Sequence, residues 1–156
     1  MVVSDRVLPV DGVTQRAIAV ERYNHCWHLL EKADRTRDED TGLLTSAFVS
    51  RYYWSLVSGT DQCIIGDWMI SRAAAAVGEG GVALRFALLA YDHAQEAEVS
   101  DWLIASTAEG LARAYAASGD SEARDRWITV AELLVEAIAD SEDRKLIASQ
   151  LASVPR

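Results

Sequence analysis

Gly110-Leu111-Ala112-Arg113-Ala114-Tyr115-Ala116-Ala117-Ser118-Gly119-Asp120 decides the fold of this chain. Alanines recur through it at helical spacing, and Gly119 stops the helix because a residue without Cβ tolerates the left-handed end position. Asp120 then offers a side-chain oxygen to the free backbone N–H groups of a following helix. The same order of small residues occurs upstream. Ser71, Gly78, Ala83 and Ala90 stand where Ala112, Gly119 and Ala131 recur, with Gly78 to Gly119 and Ala90 to Ala131 both 41 residues apart. A repeated helix-turn-helix unit buries its apolar face by stacking on its neighbours, which implies a helical solenoid.

The rest of the chain follows this period. Val20, Tyr23, Trp27 and Leu30 step by 3, 4 and 3 and mark one face of a helix over about 13–33. In the polar break 34–40, Thr36 and Glu39 form a capping box. A second helix carries Leu43, Ala47, Ser50, Trp54 and Val57 and ends at Ser58-Gly59. Thr60 or Asp61 caps a third, which stops at Gly78, and Glu79-Gly80-Gly81 reads as a loop before a fourth over about 82–98. Ser100 or Asp101 caps the fifth, Asp120 or Ser121 the sixth, and Asp140-Ser141 a short seventh. Strand-like alternation is absent, and both prolines lie near the termini. The reading is an all-α antiparallel array of about seven helices in a single domain. Its parts are an arm over 1–12, an N-terminal hairpin over 13–58, two degenerate repeats over 60–139 and a capping helix over 140–154.

Composition narrows the function. Half of the 156 residues are apolar and a quarter are charged, as in ordinary globular domains. The net charge is −9, and residues 79–156 alone carry −7. Such a surface repels phosphate backbones and anionic lipid, so neither nucleic acid nor membrane is expected as a partner. Charge interrupts the first six residues too early for a signal peptide, and no apolar run approaches a membrane span. Cys26 and Cys63 lie in apolar surroundings and read as two buried thiols of a reducing compartment. A cytoplasmic location is expected.

Leu111, Ala112, Tyr115, Gly119, Asp120 and Ala131 resemble the tetratricopeptide repeat, in which a Leu-Gly/Ala pair precedes Tyr, Gly-Asp and helix-packing alanines. At the mid-helix alanine position Arg124 stands instead, with Ala123 one residue early. The earlier unit matches at Ile70, Ser71, Gly78, Ala83 and Ala90, with Ala74 in place of the aromatic. The likeness spans about residues 64–140. More widely, Trp27-His28-Leu29-Leu30-Glu31-Lys32, Ser50-Arg51-Tyr52-Tyr53-Trp54 and Asp67-Trp68-Met69-Ile70-Ser71-Arg72 resemble a functionally unassigned group of small bacterial TPR-like proteins.

The resemblance implies that the first helix of each pair lines a concave groove. Ile65, Trp68, Arg72, Ala75 and Ala76 would face it from one unit. Ser106, Glu109, Arg113, Ala116 and Ala117 would face it from the next. Trp68, Arg72, Glu109 and Arg113 are therefore the candidate partner-binding residues. Guanidinium forks hold carboxylates bidentately and an indole supplies an anchoring surface, so an acidic or C-terminal peptide segment is the expected ligand. The alternative is internal pairing of the two arginines with Asp67, Glu109 or neighbouring acids. Trp68 faces either the groove or the second helix of its own pair, whereas Trp27, Trp54, Trp102 and Trp127 fall on apolar stripes and read as core.

Other chemistry finds little footing. His25 and His28 share a solvated face with Glu21 and Lys32, and no ligand spacing brings His93 to them, so no metal is expected. The chain holds no G-x-S-x-G, Walker or G-x-G-x-x-G motif, and the paired acids look like exposed helix ends. No cofactor and no turnover are expected. The expected function is a non-catalytic protein–protein interaction or scaffold module that binds a peptide or protein partner in the groove, with a homodimer a further expectation. The alternatives are a small-molecule or metal sensor built on an inter-helix cavity near Trp54, Trp68 and Cys63, and a structural subunit of a larger complex.

Overall fold

A computed structural model of the chain describes residues 10–156 and contains seven α-helices. They are α1 Gly12–Leu30, α2 Arg37–Val57, α3 Thr60–Ala76, α4 Gly80–Glu96, α5 Asp101–Ser118, α6 Ser121–Glu136 and α7 Ser141–Ala152. The expected arm lies outside the described residues over 1–9, and Gly12 opens α1.

Local chemistry sets most of the ends. The Asp11 carboxylate accepts the Thr14 N–H at 2.7 Å, and the Thr36–Glu39 capping box closes in both directions at 3.2 and 2.9 Å. Asp120 accepts the Ala123 N–H, and Asp140 accepts those of Glu142 and Asp143. The start of α3 departs from expectation. Gly59 is its N-cap, and neither Thr60 nor Asp61 supplies a side-chain cap.

The two repeat units end their first helices alike. Gly78 and Gly119 take φ of 82° and 81°, where a side chain would strain the backbone. Behind Gly78 the Glu79 N–H bonds the Ala74 carbonyl at 2.9 Å; behind Gly119 the Asp120 N–H bonds that of Tyr115 at 3.0 Å. Both are Schellman turns, 41 residues apart in register.

Packing arranges the helices in two layers. α1, α3, α5 and α7 touch in succession, and α2, α4 and α6 lie behind them. Small residues sit in the helix interfaces: Ala73 in the core with Cys26 and Leu29 of α1, Ala74 with Ala83 and Ala87 of α4, and Ala105, Ala108 and Ala112 with Ala131 of α6. The outer helices stand further apart, bridged by edge-on aromatic pairs: Phe48 with Phe86, and Tyr91 with Trp127 at 4.8 Å. The odd helices approach one another closely in series while α2, α4 and α6 do not, which puts the odd helices on the concave side of the array.

One close approach corrects the loop reading of Glu79-Gly80-Gly81. Gly80 begins α4, and its Cα lies so near the end of α5 that a Cβ there would come within 2.6 Å of the Ala117 carbonyl oxygen. Gly80→Ala is expected to destabilise the fold by about 1–3 kcal/mol. Gly81→Ala, whose Cβ would meet nothing within 4 Å, is expected to be neutral or mildly stabilising. Urea midpoints of the two variants check the contrast.

Candidate functional site

The concave floor is built by α3 and α5, with α1 and the C-terminal segment as its walls. Helical periodicity places the expected groove residues there in two hollows. Ile65, Trp68 and Ser106 line a cleft of about 490 Å³. Arg72, Ala75, Ala76, Arg113, Ala116 and Ala117 line a second hollow of about 290 Å³, closed by Leu30 and Pro155. Glu109 and its partners stand at the floor.

Glu109 is completely buried, and its carboxylate gathers the other three candidate residues. Oε1 accepts from Arg113 Nε at 2.8 Å and from Arg72 Nη1 at 3.4 Å; Oε2 accepts from Trp68 Nε1 at 3.3 Å. Arg113 then reaches α7, donating to the Gln150 carbonyl and the Ser153 hydroxyl, both at 2.9 Å. Those last carbonyls carry the negative end of the α7 dipole, so a second guanidinium is answered without a second acid. Arg72 lies between indoles, its Cζ 5.0 Å from the Trp27 ring centre and 5.4 Å from that of Trp68. Burial, followed by the Arg113 charge, brings its pKa down to about 10, so it remains a cation at neutral pH.

This geometry corrects the expected fork. The two arginines do fall side by side, but both turn onto Glu109, and neither side chain is more than 14% exposed. Of the two pairings open from sequence, the internal one with Glu109 is what the structure contains. Asp67 is held elsewhere, accepting from Arg51 Nε of α2 at 2.7 Å.

The tryptophans correct a second expectation. Trp68, read as facing either the groove or the second helix, is 5% exposed, whereas Trp27, Trp102 and Trp127 pack against the core while remaining half-buried, and Trp54 is half-buried outside those clusters. The reason is α1, which lays Trp27 against Trp68 with ring centres 5.9 Å apart. Beneath it, Gly110 of α5 leaves space for the indole; a Cβ there would sit 2.9 Å from Trp68 Cδ1.

What the residues alone missed is the wall of the larger cleft. Tyr23, Trp27 and Glu31 come from α1, Trp102 from the start of α5, and Asp143, Leu146 and Gln150 from α7. Tyr23 and Trp27 share a stripe with Val20 and Leu30, a signal that reads as core until a partner helix is known.

The remaining clusters are sparse. His25 and His28 stack at 6.3 Å on the flank of α1, and among the described residues no three His, Cys, Asp or Glu side chains are placed to hold a metal. No described helix is long and apolar enough to cross a membrane. Cys63, expected to be buried, is only partly so because it borders a shallow hollow shared with His93, to which no hydrogen bond joins it. Cys26 is fully buried, gives its thiol to the Leu43 carbonyl, and burial pushes it up to about 12. With the thiolate the reactive form, native protein at pH 8 is expected to alkylate at Cys63 and to spare Cys26. Mass mapping after iodoacetamide pulses, with and without urea, measures this.

Searches of protein families, of curated proteins and of solved structures find no match to this chain. Its function is therefore argued from the site.

Proposed function

We propose that this protein is a non-catalytic, TPR-like interaction module that holds a peptide segment of a partner protein across its concave face. The observation that carries the reading is the cleft of about 490 Å³ framed by α1, α3, α5 and α7, with four aromatic side chains around one opening. A cleft of that size suits one large anchoring side chain, and buried aromatic pockets supply most of the energy of peptide interfaces. The exposed Leu146 at its edge, 56% accessible, extends the apolar surface outward. The proposed anchoring residues are therefore Tyr23, Trp27, Trp102 and Leu146. Trp68, Arg72, Glu109 and Arg113 form the rigid floor beneath.

The test is a displayed library of twelve-residue peptides selected on the folded chain. Peptides should enrich, compete with one another, and lose binding to Leu146→Arg, which fills the cleft mouth from a surface position. A library with no peptide sensitive to Leu146→Arg would end this reading.

A further inference from the structure

The larger cleft has a chemical bias that its apolar lining hides. Glu31 and Asp143 stand at its two walls, on α1 and α7, and neither has an ion-pair partner among the described residues. The neighbouring cations are already committed: Lys32 to Glu39, Lys145 to Glu142, and Arg144 to the Ile138 carbonyl at 3.2 Å. Glu31 is also misplaced by local rules, being the C-cap of α1, where the helix dipole disfavours negative charge. A residue that breaks its local rule without compensation marks a place where something else selects it.

A third acceptor lines the same cleft from α7. The Gln150 side-chain oxygen is buried in the cleft wall without a hydrogen-bond partner. An orphaned buried acceptor is costly, and a turn of the Gln150 side chain toward a donor in the cleft would relieve it. The rings of Tyr23, Trp27, Trp68 and Trp102 line the same cleft. Aromatic faces with carboxylates at their edge attract organic cations. Arg72 lies against Trp27 and Trp68 from the second hollow, where it is paired with Glu109, so Tyr23 and Trp102 are the cleft rings that hold no cation of the chain itself.

We infer that the anchor received by this cleft is a lysine side chain of the partner segment. Its alkyl stem lies along Ile65 and Leu146, and its ammonium stands by the Tyr23 and Trp102 rings, facing Glu31 and Asp143. The expected acidic ligand is thereby replaced by a basic one, in keeping with a net charge of −9. This inference rests on the interaction-module reading and adds the chemistry of the anchor.

The experiment takes the tightest peptide of the library and replaces its lysine by norleucine, which keeps the stem and removes the charge. Tryptophan fluorescence on the intact chain reads the affinity of both peptides, for wild type and for Glu31→Gln/Asp143→Asn, two surface changes that leave the floor intact. Binding of the norleucine peptide is expected to fall by roughly tenfold, the scale of one desolvated cation–aromatic contact. The double variant should weaken the lysine peptide several-fold and leave the norleucine peptide unchanged. Enriched peptides without a basic residue, or equal affinity for the two peptides, would overturn the lysine anchor while leaving the module standing. Peptides that never enrich would remove the module itself. Tetramethylammonium that saturates the cleft while no peptide binds would overturn both in favour of a small cationic ligand.

Discussion

Glu109→Ala should cost about 3–5 kcal/mol of folding stability, the loss typical when one partner leaves a buried ion cluster. The side chain is fully buried, so its removal strands the Arg72 guanidinium between two indoles with no counter-charge and leaves the Trp68 N–H without an acceptor. The cost arises from those abandoned groups, and it should therefore be recoverable. Glu109→Leu/Arg72→Met removes charge and counter-charge together and fills the space with apolar atoms. Arg113 stays tied to the last carbonyls of α7. The double variant is expected to regain most of the loss, making the pair strongly non-additive. Guanidinium unfolding of wild type, both single variants and the double variant measures the coupling. Additive losses would show that the three charges do not act as one cluster.

Trp68→Ala should cost a similar amount, about 3–5 kcal/mol, for a different reason. The indole is 5% exposed and fills the space between Trp27 of α1 and Gly110 of α5. Those neighbours sit on helices held by their own hairpins, so the gap cannot close by side-chain adjustment alone. The loss should appear with an unchanged helical circular dichroism signal, because α3 keeps its alanines and its Gly78 terminus. Leu146→Ala, at the cleft mouth, should move stability by no more than about 0.5 kcal/mol. Together these variants separate the floor of the cleft, which holds the fold, from its rim, which the fold does not need.

The Arg72, Glu109 and Arg113 cluster shows where sequence reading stops. The repeat resemblance put all three on the face that lines the groove, and the structure places them there. Phase does not say whether a guanidinium continues to solvent or folds back on a neighbour. That choice depended on Glu109 being sealed by Trp68 and on α7 presenting Gln150 and Ser153 to Arg113, contacts that span 37 to 41 residues. Trp27 and Trp68 show the same limit. Each lies on a helical stripe, and which one is covered depends on the angle at which α1 crosses α3. The α7 wall was least legible, because Leu146 and Gln150 acquire meaning only opposite Trp27 and Trp102.

What the sequence determined by itself were the features decided within a helical turn or a hairpin. The capping box at Thr36 and Glu39, the left-handed glycines at 78 and 119, and the small residues 41 apart settle seven helices and their pairing, since each acts on backbone groups a few residues away. What the tertiary structure decided is the site. The burial of Glu109, the covering of Trp68 and the meeting of Glu31, Asp143 and Gln150 around one cleft depend on where whole helices stand in space. No local backbone chemistry carries that information.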